Sequence, residues 1–180
     1  MRALIVVESY FGNTRQVAAA IAEGVSAHVE AEVVDVLEAP ATVPDGLGLL
    51  VVGGPTHAHG MSNPDSRRSA TQRGESTVHT SRTGIREWLA ALAAPPPGVA
   101  AAAFDTRIKG PRLVWGSASQ GATKELERLS FAPVVEPASF LVRGPLGPVV
   151  DVLVEGEIER ARAWGERLGA DLAGRGSPAG

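Results

Sequence analysis

The chain has 180 residues, a mass of 18.6 kDa, 44% apolar residues and a formal charge of −3, which suits one buried core and predicts a single domain. Its charges of both signs are spread along the sequence, so no basic stripe calls for nucleic acid. It has no cysteine, which excludes disulfides, thiolate catalysis and cysteine-ligated metals. Of its histidines only His57 and His59 lie close together, and an H-x-H pair without nearby carboxylates is no basis for a metal site.

The first apolar run, residues 3–7 (ALIVV), reads as a strand covered on both faces. Glu8 stops it too early for a secretory core or a spanning helix, so a cytoplasmic protein with no membrane association is expected. The chain then passes through ESYFGNTRQVAAAIAEG, residues 8–24, into an alanine-rich helix with Val17, Ile21, Gly24 and Val25 on one face. Residues 32–37 (EVVDVL) suit a strand nearer an edge, and 49–52 a buried one. Residues 61–84 contain only Met61, Ala70 and Val78 as apolar residues. They read as an insert without the means to pack: a lid, an assembly arm or a disordered segment. Arg67, Arg68, Arg73 and Arg82 within it either meet a phosphate or an acidic partner, or merely keep the insert solvated.

Ile85, Trp88, Leu89 and Leu92 mark a second helix, 99–104 a further buried strand, and 123–129 a short helix. Residues 139–142 form a fifth strand, and Ile158, Ala161, Gly165, Leu168 and Leu172 stripe a last helix. That helix has Glu155, Glu157 and Glu159 ahead of its arginines, the order its dipole favours. Trp88 and Trp164 are expected in the core and Trp115 under a loop, while 175–180 reads as a tail. Alternating strands and helices imply right-handed crossovers and a doubly wound α/β sheet, one domain over 1–174.

Such sheets take ligands beyond the carboxyl ends of their strands, where the loop after the first strand lies. Ser9, Asn13 and Thr14 supply side-chain donors, Gly12 admits close backbone approach, and the following helix start carries partial positive charge. Together these groups are suited to a phosphate. Arg15, the cation nearby, is expected to point outward. The chain lacks G-x-x-x-x-G-K-[ST] and has no G-x-G-x-x-G after its first strand, which argues against the two commonest nucleotide loops.

SYFGNT, at 9–14, resembles the [ST]-x-[ST]-G-[NS]-T phosphate loop of flavodoxins, with Phe11 in place of the middle hydroxyl. GGPTHAHGMS, at 53–62, is similar to the second flavin loop of flavodoxins and flavodoxin-like quinone reductases, and FDTRIKG, at 104–110, falls where the third belongs. The resemblance covers the chain apart from the insert and the tail. It implies a flavodoxin-like, five-stranded parallel sheet of order 2-1-3-4-5 with helices on both faces, and FMN as cofactor. Ser9, Tyr10, Phe11, Gly12, Asn13 and Thr14 would then hold the phosphate. Pro55, Thr56, His57, Ala58, His59 and Gly60 would line the isoalloxazine, with Gly60 or a neighbouring peptide able to meet N5. Asp105, Thr106 and Arg107 would meet the pyrimidine edge.

The resemblance further implies electron transfer between a reductase or NAD(P)H and either a redox partner protein or a small quinone-like acceptor, in a family whose reductases often form homo-oligomers. Only 4% of residues are aromatic and the net charge is mild, whereas dedicated one-electron carriers clamp the ring between aromatics on an acidic surface. This departure moves weight toward two-electron chemistry, with a histidine beside the ring as proton donor. The alternative is a binding or assembly module of this fold with weak or no flavin binding.

Overall fold

A computed structural model describes residues 1–57, 60–73, 83–110, 116–143 and 152–176. β1 (Arg2–Val7) alternates across the sheet, with Ala3, Ile5 and Val7 packing on one face and Leu4 and Val6 on the other. β2 (Glu30–Asp35), β3 (Leu47–Pro55) and β4 (Ala100–Ile108) run parallel to it, with β1 between β2 and β3, and β3 next to β4. The fifth position is filled in two pieces. β5 (Ala132–Pro133) pairs with Ala100 and Ala101, and β6 (Ala138–Arg143) pairs with Phe104 to Ile108. Pro133 and Pro137 have no N–H to give a ladder, and the chain leaves the sheet between the two pieces.

The order is therefore the expected 2-1-3-4-5, with β6 in fifth place and a short antiparallel β7 (Val152–Leu153) beyond it. β2 begins two residues earlier than its charge pattern suggested. β3 and β4 run on past the apolar runs, to Pro55 and Ile108.

One face of the sheet is covered by α1 (Asn13–Ser26) and by a 20-residue helix, Glu157–Gly176, which is α5 in the numbering used below. The long helix runs through Gly176, so the chain is still helical where a tail was expected; 177–180 lie outside the described residues. The other face is covered by α3 (Ile85–Ala91), α4 (Ala118–Arg128) and the β2–β3 connection, and α2 (Pro64–Arg73) stands near the ends of the strands. Trp88 and Trp164 are both 6% exposed, in opposite cores, as expected; Trp115 lies outside the described residues.

Two findings depart from the sequence reading. α4 starts at Ala118, five residues before its apolar helical pattern begins, because its own N-cap and a carboxylate from β4 hold its first turn. The Ser117 hydroxyl accepts from Gln120 N, and the carboxylate of Asp105 accepts from Ser119 N at 2.9 Å. The insert also packs: Met61, Ser62 and Arg67 are all buried. An ion-pair network supplies what apolar residues do not, while 74–82 lie outside the described residues.

α1 and α5 meet backbone to backbone. A methyl group at Gly24 would stand 2.1 Å from the Arg162 carbonyl oxygen, and one at Gly165 would stand 2.2 Å from that of Ile21. This contact fixes α1, and with it the helix start beside the first loop. Helix propensity alone would make Gly165→Ala stabilising by about 1 kcal/mol. The clash with Ile21 reverses the sign, and urea denaturation is expected to show a loss of roughly 1–3 kcal/mol. A variant as stable as the parent would contradict the packing.

Candidate functional site

The site is built from the loops that leave β1, β3 and β4. At the first loop Gly12 stands at φ 84°, ψ −18° as the N-cap of α1, with no side-chain cap and open space where a Cβ would be. A left-handed conformation of this kind favours glycine. The first-turn amides that follow have no intrahelical carbonyl to bond. Arg15 N donates to Ser9 Oγ at 3.3 Å, while the Arg15 guanidinium turns away to Asp35 Oδ2, 2.5 Å distant. Arg15 therefore points outward as expected, and the cup is lined by dipoles rather than by its charge.

Threonines stitch the loops together. Thr14 Oγ1 lies 2.8 Å from Thr106 Oγ1, Thr56 N donates to the Thr106 carbonyl at 2.8 Å, and Ala118 N donates to Thr56 Oγ1 at 2.9 Å. A hydroxyl pair uses one O–H internally and leaves the other to donate elsewhere. Where Thr106 is the donor in this pair, the Thr14 hydroxyl at the mouth of α1 keeps its proton for an anion in the cup. Asn13 is buried beside it.

Other expected site residues are placed differently. Tyr10, expected among the residues that hold the phosphate, is 5% exposed and donates its hydroxyl to Glu8 Oε1. Its ring meets His57 edge-on at 5.0 Å, and half-buried Phe11 packs against it. Burial above all, then the charge of Glu8 and the bond to it, push the phenol well above its ordinary range.

His57 N donates to the Gly60 carbonyl at 2.9 Å, and Gly60 N donates back to the His57 carbonyl at 3.0 Å. The Gly60 amide is therefore spent within its own turn; Ala58 and His59 lie outside the described residues. Pro55, expected in a loop, ends β3 opposite Thr106. Asp105, Thr106 and Arg107 are strand residues opposite Ser139, Phe140 and Leu141, so the ladder takes up backbone groups that a loop would present. The Asp105 side chain is fully buried on Ser117 and Ser119 N with Oδ1 unpartnered. Arg107 folds back onto the Gly110 carbonyl at 2.9 Å.

The residue that organises the site was not among those expected. Glu8, directly after β1 and 5% exposed, accepts from Tyr10 and from Ser62 Oγ at 2.5 Å through Oε1, and from Ile85 N at 2.8 Å through Oε2. Arg67, 1% exposed, donates to Ser62 Oγ at 2.9 Å and lies 3.1 Å from Glu87 and 4.0 Å from Glu8. Burial works against the Arg67 charge, but the bond to Glu87 and the charges of Glu87 and Glu8 outweigh it and hold the guanidinium above its ordinary range. Burial likewise opposes the Glu87 charge, and the Arg67 and Gly84 N–H bonds overcome it, so its carboxyl stays low. Gly84 is needed here for space, since a Cβ would stand 2.5 Å from Arg67 Nη1 and 2.7 Å from Glu8 Oε2. A carboxylate breaking the end of an apolar strand was the one sequence signal available for this network.

A groove of about 340 Å³ lies elsewhere, beside the starting ends of β1 and β3, where the β2–β3 crossover has no helix to cover Leu4 and Val34. The loop cluster is set apart from it by converging polar groups, which matter more for a binding site than volume does.

No family model and no curated protein matches the chain. Solved structures do. It superposes on an archaeal flavodoxin with a TM-score of 0.63 at 16% identity, covering 96% of this chain and 99% of that one. A flavodoxin from Streptococcus pneumonia TIGR4 gives 0.63 at 18%, covering 95% and 99%. A flavodoxin, WrbA-like protein from Agrobacterium tumefaciens gives 0.56 at 16%, covering 95% and 96%. The chain therefore has the flavodoxin-like fold expected from its loops. Among the described residues, no helix is long and apolar enough to cross a membrane.

Tyr10 is the sole tyrosine, so tyrosinate absorbance reports it alone. Its folded pKa lies above the unfolded value of 10.0, so the native protein is expected to show no tyrosinate as pH passes that value. Stability should fall above it, because only the unfolded chain gains by ionising. A native titration midpoint near 10 would contradict the Glu8 contact.

Proposed function

We propose that the chain binds FMN at the three loops and passes reducing equivalents to a small-molecule or protein acceptor. The observation that carries this reading is the cup at Gly12, a glycine in left-handed conformation at the start of α1, open above and flanked by Ser9 and Thr14. An anion there meets oriented N–H groups and the positive end of the helix dipole. The likeness to flavodoxins supports the same reading. When bound, FMN would supply the redox chemistry, and the chain would supply binding and orientation.

In this reading the phosphate end is well provided and, among the described residues, the ring end sparsely. Thr14 and Ser9 donate to phosphate oxygens, while the Thr14–Thr106 and Thr56–Thr106 links hold the loops at fixed separation. Tyr10 and the Gly60 amide are both committed inside the protein. Among the described residues, the grip on the isoalloxazine then falls to His57, half-buried Phe11 and the strand ends. Affinity would come mainly from the phosphate, and the imidazole of His57, the described histidine of the second loop, would be the group placed to supply a proton beside the ring.

Titration of the apo protein with FMN and with riboflavin tests this reading. Hydrogen bonds to a charged group are worth about 1.5–3 kcal/mol each. Ser9→Ala with Thr14→Ala should therefore lower FMN affinity at least ~10-fold, which is about 1.4 kcal/mol, and barely alter riboflavin binding. Equal losses for both ligands would place the phosphate elsewhere. A colourless protein indifferent to FMN would favour a binding or assembly module instead.

A further inference from the structure

The described side chains of α2 face solvent, with one exception. Pro64, Asp65, Arg68 and Ser69 are exposed, Ser66 is half-buried, and Arg67 is 1% exposed. Docking of surface helices ordinarily rests on an apolar stripe, and α2 presents none there. Among its described side chains, the one that joins it to the rest of the protein is the Arg67 guanidinium, seated between Ser62, Glu87 and Glu8.

Glu8 receives Tyr10 from the first loop, Ser62 from the end of the second and Ile85 N from the start of α3. Arg86 separately fixes the carbonyls of Met61 and Ser62, at 2.9 and 3.1 Å, so any freedom of α2 begins after them. A cavity of about 10 Å³ beside Glu8 is at the limit of holding one water, and solvent there cannot replace the guanidinium. Buried ion pairs add little over apolar packing yet are costly to break on one side, which suits a contact that selects one arrangement.

We infer that Arg67 is a positioning residue: it latches α2 onto Glu8 and, through that carboxylate, holds Tyr10 and Ser62, and with them the first two loops, in one arrangement. The latch stands on these contacts alone; the statement that those loops face a flavin rests on the proposed function.

Hydrogen exchange measured by mass spectrometry on the full chain, with and without FMN, tests both parts. In Arg67→Met, exchange over 64–73 and over 8–14 should rise at least tenfold while 47–54 stays as in the parent. Adding Glu8→Gln removes the stranded charge and should restore protection at 8–14 but not at 64–73, whereas Arg67→Lys should rescue both in part. If Arg67→Met fails to fold, the double variant must fold, and its failure to do so would overturn the inference. Parent-like protection at 64–73 in Arg67→Met would also overturn it.

With FMN bound, the parent should protect 64–73 further and Arg67→Met should not. FMN binding that leaves 64–73 unchanged in the parent would refute the coupling to the ligand. A parent that does not bind FMN would refute the flavin reading and leave the latch to be judged on the apo exchange.

Discussion

The end of β1 confronts the fold with a carboxylate that must be buried. Glu8 follows an apolar strand into the protein, and an isolated carboxylate there would cost several kcal/mol. Its bonds to Tyr10, Ser62 and Ile85 N, with Arg67 close by, meet that demand. Each partner comes from a different segment, so satisfying one charge fixes the path of the first loop, the exit of the second, the start of α3 and the placement of α2. The ligand-facing end of the sheet is arranged around this requirement. The hydrophobic layers on either side make the scaffold, and Glu8 sets how its loops meet.

The same arrangement divides the candidate site into two unequal halves. At α1 the chain presents amide dipoles, Gly12 and the Thr14 hydroxyl, and the Arg15 guanidinium is turned away to Asp35. On the ring side, groups that could hold a planar cofactor are drawn inward: Tyr10 to Glu8, the Gly60 amide to His57, and the backbone of Asp105 to Arg107 into the sheet. A protein of this kind would recognise its ligand by the anion first.

Much of the fold was legible because strands buried on both faces leave uninterrupted apolar runs, and both 3–7 and 49–52 did so. Gly24 and Gly165 fell on the predicted helix faces, although their role as a backbone contact needed coordinates. At the start of α1 the chemistry is local, and there Arg15 turns outward as read, to Asp35. What escaped notice depends on distant partners. α4 begins early because the carboxylate of Asp105, on β4, takes the Ser119 N–H, and Arg67, which looked like a solvating charge, is buried because Glu8 and Glu87 await it. Tyr10 turns inward for the same reason. Periodicity registers apolar burial and is blind to burial by ion pairing.

The most direct measurement of the central claim is a two-dimensional amide NMR spectrum of the labelled protein during titration with FMN. If the loops around Glu8 form the binding site, the signals of Gly12, Asn13 and Thr14 should shift together with those of Gly60 to Ser62, while those of Arg2, Glu32 and Glu38 at the distant groove stay in place. Shifts confined to the groove, with the Gly12 to Thr14 signals unmoved, would contradict it.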